Sequence, residues 1–221
     1  MKKESLIASI ARTPIGSFQG ALSTVPAVEL GAAVIRETVK RAGIHTEDVD
    51  EVIMGNVLSA GIGQAPARQA AIFGGLPKKV ECMTINKVCG SGLKAVMLAD
   101  QAIRCGDAEV VIAGGMENMS QAPYYLMDAR DGMRMGHKKV NDALIHDAQW
   151  DPYGDMHMGN CAEVLAKEEN FTREEQDSFA IESYRRSMES IQNGSFRDEI
   201  VAVEIPKNTG DSVIILSLIH I

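Results

Sequence analysis

One short stretch of the chain is dense in chemistry: NKVCGSGLKAVMLA, residues 86–99. Cys89 stands before a Gly–Ser–Gly run, and an apolar pattern of helical period follows at once. A strand that enters a glycine turn and then a helix sets one side chain at the helix N-terminus. There the backbone amides point outward and the dipole is positive, which favours the reactive thiolate of a cysteine. Gly90 and Gly92 would let a ligand approach the backbone closely, and the amides near the turn would steady a developing oxyanion. The pattern fits a nucleophile for covalent catalysis. It fits as well a small thiol buried at a tight turn, because the spacing supplies no base partner.

The remaining reactive side chains say less. His157, taken alone, reads as an exposed loop histidine. His137 and His146 are nine residues apart with no neighbouring ligands, so no metal site is expected. GIGQAP, residues 61–66, lacks the third glycine of a dinucleotide fingerprint. Cys82, Cys105 and Cys161 show no CxxC spacing and read as reduced thiols used in packing, as an intracellular protein would carry them. The methionines at 116, 119, 127, 133, 135, 156 and 158 read as adaptable packing.

The elements that must position Cys89 follow from periodicity. Residues 6–10 read as a strand. A helix begins at Pro26, repeats apolar residues at Leu30, Val34, Ile35 and Val39, and stops at Gly43. DEVIMGNVL, ECMTINKV and AEVVIAGG read as strands, with helices at QAPARQAAIFGG and SGLKAVMLADQAIRCG. Alternating strands and helices predict an α/β layer sandwich with a largely parallel sheet over residues 1–121. Residues 122–160 are rich in Met, Asp, Gly and His and weakly periodic, so they read as a loop-rich insertion. Thr172 and Glu175 form a capping-box pattern that opens a long helix ending at Gly194. RDEIVAVEIP reads as a further strand.

Composition narrows the functional classes. With 221 residues, 45% hydrophobic and 24% charged, the chain is of ordinary globular type. A net charge of −8 argues against binding to a nucleic-acid backbone. No apolar run reaches membrane-spanning length, and the N-terminal apolar stretch breaks at Arg12, Thr13 and Pro14, so neither a membrane span nor a signal peptide is expected. The cytoplasm is the expected location.

Four segments, in order, resemble thiolases: RTPIGSFQGAL, NKVCGSGLKAV, VVIAGGMENMSQAPY and HMGNCAEVLAKEENFTREEQDSFA. The likeness runs in register from about residue 5 to residue 215. It is nearest to the biosynthetic acetyl-CoA acetyltransferase branch, ahead of 3-ketoacyl-CoA thiolases of broader chain length and of ketoacyl synthases. The resemblance implies the N-terminal half-domain of an αβαβα layered fold over residues 1–121, with a partial helix-and-loop insertion domain over 122–215. It implies reversible condensation of two acetyl-CoA to acetoacetyl-CoA and CoA, through an acetyl thioester on Cys89. His157 and Met158 match positions that line the acyl and pantetheine pocket. Coenzyme A thioesters are then substrates, no separate cofactor is implied, and a homodimer or homotetramer is expected. The family's GHP histidine, NEAF asparagine and CxG cysteine do not occur in these 221 residues. A truncated, inactive fragment is therefore the other expectation for the chain as written. The last residues, LSLIHI at 216–221, have no family counterpart, resemble a translated adaptor, and are expected to be non-native.

Overall fold

The computed structural model describes residues 4–206 and 212–216. The chain divides into two compact units, one of residues 1–123 with 199–221 and the other of residues 124–198.

The first unit is built on three parallel strands. Helix α1 (Ala27–Ala42) follows Pro26, whose fixed φ suits a helix start, and ends at Gly43 in the left-handed region, φ 67°. Strand β1 (Glu51–Gly55), helix α2 (Pro66–Phe73), strand β2 (Glu81–Ile85), helix α3 (Ser91–Cys105) and strand β3 (Val111–Gly115) come next. The sheet order is β2-β1-β3, with Glu51 level with both Glu81 and Val111. The central strand is apolar without alternation because both its faces are covered. Val52 and Met54 join the core formed with Ala27, Val28 and Ile35 of α1 and Ala67, Ala70 and Ala71 of α2. Gly55, on the opposite face of the pleat, abuts the first turn of α3. Val52, Ile53 and Met54 are each at most 1% exposed, and each contributes about 1.5–3 kcal/mol by leaving water.

Residues 6–10, expected as a strand, join no ladder. Just beyond this span Arg12 and Ile15 each form an isolated bridge, Arg12 with Ile200. Leu6 is 87% exposed and Ile7 79%. The apolar pattern is present, but a strand also requires a neighbour at hydrogen-bonding distance. A groove of about 780 Å³ is lined by residues 5–13 on one side and by β3 on another. Cys105, expected in packing, is exposed at the last position of α3. It falls on the solvent face of the last turn, whose other side carries half-buried Ala102 and Ile103.

In the second unit, β4 (Tyr124–Tyr125) pairs antiparallel with β5 (Asn141–Asp142), and β6 (Trp150–Asp151) pairs with β7 (Met156–His157). A π-helical turn, Ile145–Gln149, lies between the two pairs. Helices α4 (Met158–Glu168) and α5 (Arg173–Asn193) follow, and the expected capping box is formed: Glu175 N donates to Thr172 Oγ1, and Thr172 N to Glu175 Oε2.

The chain then rejoins the first unit. Strands β8 (Val203–Pro206) and β9 (Ser212–Ile215) form an antiparallel pair, and Val203 and Ile215 pack with Leu22, Val25 and Leu30. These strands belong to residues that the sequence reading groups with the insertion. Of the tail expected to be non-native, Leu216 is exposed and residues 217–221 lie outside the described residues. Among the described residues no helix is long and apolar enough to cross a membrane.

Candidate functional site

The carboxyl ends of the three parallel strands meet the amino end of α3. Gly55 closes β1 and Gly115 closes β3. A Cβ on Gly55 would stand 2.6 Å from Ser91 Cβ and 2.9 Å from Gly92 N, so only glycine allows this seat. The chain leaves β2 at Ile85 and crosses residues 86–90 into α3.

That crossing is a tight, bonded turn. Val88 N donates to Asn86 Oδ1 (2.9 Å), Gly90 N to Lys87 O (3.0 Å) and Ser91 N to Val88 O (3.1 Å). Val88 has φ +47°, a region that a β-branched residue rarely enters. Cys89 follows it and is exposed. The expectation of a strand, a glycine turn and a helix N-terminus is met. The alternative of a buried thiol is not, because the side chain faces solvent.

The polar groups beneath the turn are closely paired. The two buried polar residues described, Asn56 and Ser91, both sit here, 1% and 5% exposed. Asn56 N donates to Ile85 O (3.0 Å), while its Nδ2 donates to Met116 O (3.1 Å) and to Glu117 Oε1 (2.9 Å). Glu117 also accepts from the amides of Val57 (2.8 Å) and Leu58 (3.3 Å). Burial pushes its carboxyl above the ordinary range, and the Val57, Leu58 and Asn56 donors pull the other way. One network therefore ties the ends of all three strands. Asn118 binds a different segment, donating from Nδ2 to the carbonyls of Leu22, Ser23 and Val25.

His157 and Met158 lie in the second unit. His157 caps α4: its Nδ1 accepts from Gly159 N at 3.0 Å. An amide can only donate, so the ring proton of the neutral imidazole is on Nε2, which donates to Gln149 Oε1 at 3.1 Å. Met158 opens the helix and is half exposed. In the same unit Tyr125 donates to Asp147 Oδ2, and His146 lies edge-on to Tyr125 with Nδ1 2.8 Å from Asp147 Oδ1. The bond to Asp147 pushes the Tyr125 hydroxyl up to about 12. Among the described residues no three His, Cys, Asp or Glu side chains converge as metal ligands would.

Fold and turn together define a class: an α/β domain that displays one cysteine where a strand passes into a helix. The chain belongs to the thiolase family; the model of the thiolase N-terminal domain matches residues 5–217. It is 55% identical over 209 residues to an acetyl-CoA acetyltransferase of Pseudomonas aeruginosa, covering 95% of this chain and 53% of that protein. It is 57% identical over 208 residues to an acetyl-CoA acetyltransferase of Cupriavidus necator, covering 94% and 53%. An acetyl-CoA acetyltransferase of Yarrowia lipolytica is 52% identical over 204 residues. The chain thus spans about half the length of the curated relatives it matches.

Asn56, Ser91 and Glu117 escape a reading of the sequence. Each pairs with residues far along the chain or across a turn, which periodicity does not register. The one local signal is an asparagine directly after a strand-ending glycine, in IMGN.

Proposed function

We propose that this chain carries the nucleophile half of an acetyl-CoA C-acetyltransferase. The Cys89 thiolate attacks the carbonyl carbon of acetyl-CoA, the carbon–sulfur bond to CoA breaks, and CoA leaves as a thiolate that takes up a proton. A second acetyl-CoA then gives up an α proton, which balances the one taken up by CoA, and the resulting carbanion attacks the Cys89 thioester and displaces the Cys89 thiolate. The new carbon–carbon bond gives acetoacetyl-CoA and returns the cysteine. Thiolysis is the same path reversed. A thiolate suits both halves because it is a good nucleophile and a good leaving group. The observation that carries the reading is the exposed Cys89 on a bonded turn at the foot of α3, in a chain of this family. In this reading His157 and Met158 of the second unit line the acyl and pantetheine pocket. The imidazole, with both nitrogens already bonded, shapes that pocket rather than moving protons. The histidine, asparagine and second cysteine implied by the resemblance come from sequence outside these 221 residues, so turnover by this stretch alone is not expected. A homodimer or homotetramer in the cytoplasm is part of the same proposal.

The test is acetyl transfer from radiolabelled acetyl-CoA, followed by peptide mapping, in the full-length gene product and in its Cys89→Ala variant. Label on the peptide holding Cys89, absent from the variant, is the expected result. Label that persists on another thiol overturns the assignment.

A further inference from the structure

Val88 poses a physical problem: a β-branched residue with an exposed side chain is held at φ +47° without a packing reason to be there. Left-handed backbone costs such a residue about 1–2 kcal/mol, so bonds nearby must hold it. We infer that Ser91 is the positioning residue that holds this strained turn and thereby aims Cys89. Its hydroxyl is used twice. Oγ accepts from Lys87 N at 2.8 Å and donates to Val88 O at 2.6 Å. The two bonds bracket Val88 from both sides and close the segment from Lys87 to Ser91 into a ring. The hydroxyl is buried, so water does not compete for either bond. Nor can Ser91 move away, because its Cβ rests on Gly55 of the central strand. Asn56, the next residue, fastens the end of β2 through Ile85 O. The path from core to nucleophile therefore runs from Gly55 through Ser91 and the bracketed Val88 to Cys89.

The inference concerns Cys89 as a nucleophile, and so rests on the function proposed above, but its first test needs no acetyl-CoA. In the ¹⁵N-labelled 221-residue chain, left-handed Val88 brings its own amide and α protons unusually close and gives a strong intraresidue NOE. The Lys87 amide, bonded to a buried oxygen, exchanges slowly. Ser91→Ala is expected to weaken the Val88 NOE and to speed Lys87 exchange at least tenfold, while amides of β1 keep their rates. Ser91→Thr, which retains the hydroxyl, is expected to restore both signals. In the full-length protein the same pair should lose and regain at least tenfold in the rate of Cys89 acetylation.

A Val88 NOE that persists in Ser91→Ala overturns the inference. So does unprotected exchange at Lys87 in an unmodified chain whose β1 amides are protected, a result that does not depend on any variant folding. Failure of the nucleophile assignment would leave a different trace: an intact Val88 signal that responds to Ser91, with no acetyl group on Cys89.

Discussion

Two glycines at the foot of α3 should respond to alanine in opposite directions. In Gly55→Ala the new methyl meets Ser91 Cβ at 2.6 Å, the Ser91 carbonyl carbon at 2.8 Å and Gly92 N at 2.9 Å. Two of those three atoms are backbone and cannot rotate aside. Ordinary contact begins near 3.4 Å, so the helix end must retreat by up to about 0.8 Å. Overpacking of this kind costs about 1–3 kcal/mol, offset in part by about 0.4–1 kcal/mol from a stiffer unfolded chain. A net loss of about 1–2 kcal/mol lowers Tm by about 2–8 °C in a chain of this size. Gly92→Ala differs, for the nearest atoms to its methyl are 3.9 Å away, in Gly114 and Gly115. There the helix gains up to about 1 kcal/mol of propensity, and Tm should hold or rise. If the space over Gly92 admits the substrate, acetylation of Cys89 in the full-length protein should fall in this more stable variant. Thermal unfolding followed by circular dichroism measures the first effect, and labelling measures the second. A Gly55→Ala chain as stable as the parent, or a Gly92→Ala chain clearly less stable, would refute the packing argument.

The second unit offers two further tests. Tyr125 should release its proton only near pH 12, read as phenolate absorbance, and Asp147→Asn should bring it back toward the ordinary value of 10. With the folded value raised, the stabilisation from this bond is complete below pH 10 and disappears as the pH rises through about 12. Thr172→Ala removes the cap of α5 and should cost that helix about 1 kcal/mol, seen as lower helicity and faster exchange of the Glu175 amide.

Elements specified by neighbours in the chain were legible in the sequence. Helix α1 announces itself by Pro26, its apolar repeat and Gly43. Helix α5 does so by Thr172 and Glu175, and β1 by an unbroken apolar run. Residues 6–10 carry an equally clear apolar pattern and yet join no strand ladder among the described residues, because pairing depends on what lies alongside. Cys105 misled for a related reason: the helix it ends is amphipathic, and its last position falls on the exposed face. The two-residue strands of the second unit are held by contacts such as Tyr125–Asp147, which no periodicity reveals. At the candidate site, the position of Cys89 was plain from its glycines. The polar network under it was not, since Asn56 and Glu117 are 61 residues apart.

The strained turn bears on how this protein can be improved or altered. A screen for thermal stability alone would favour Val88→Gly, since glycine occupies the left-handed region without penalty and little packing is lost by removing a half-exposed side chain. Such a variant keeps both Ser91 bonds, which reach the Lys87 amide and the Val88 carbonyl, but widens the backbone freedom between them, so its nucleophile is held less tightly. Val88 is thus a site where selection for durability and selection for activity pull apart, and a library designed to stabilise this chain should leave it alone.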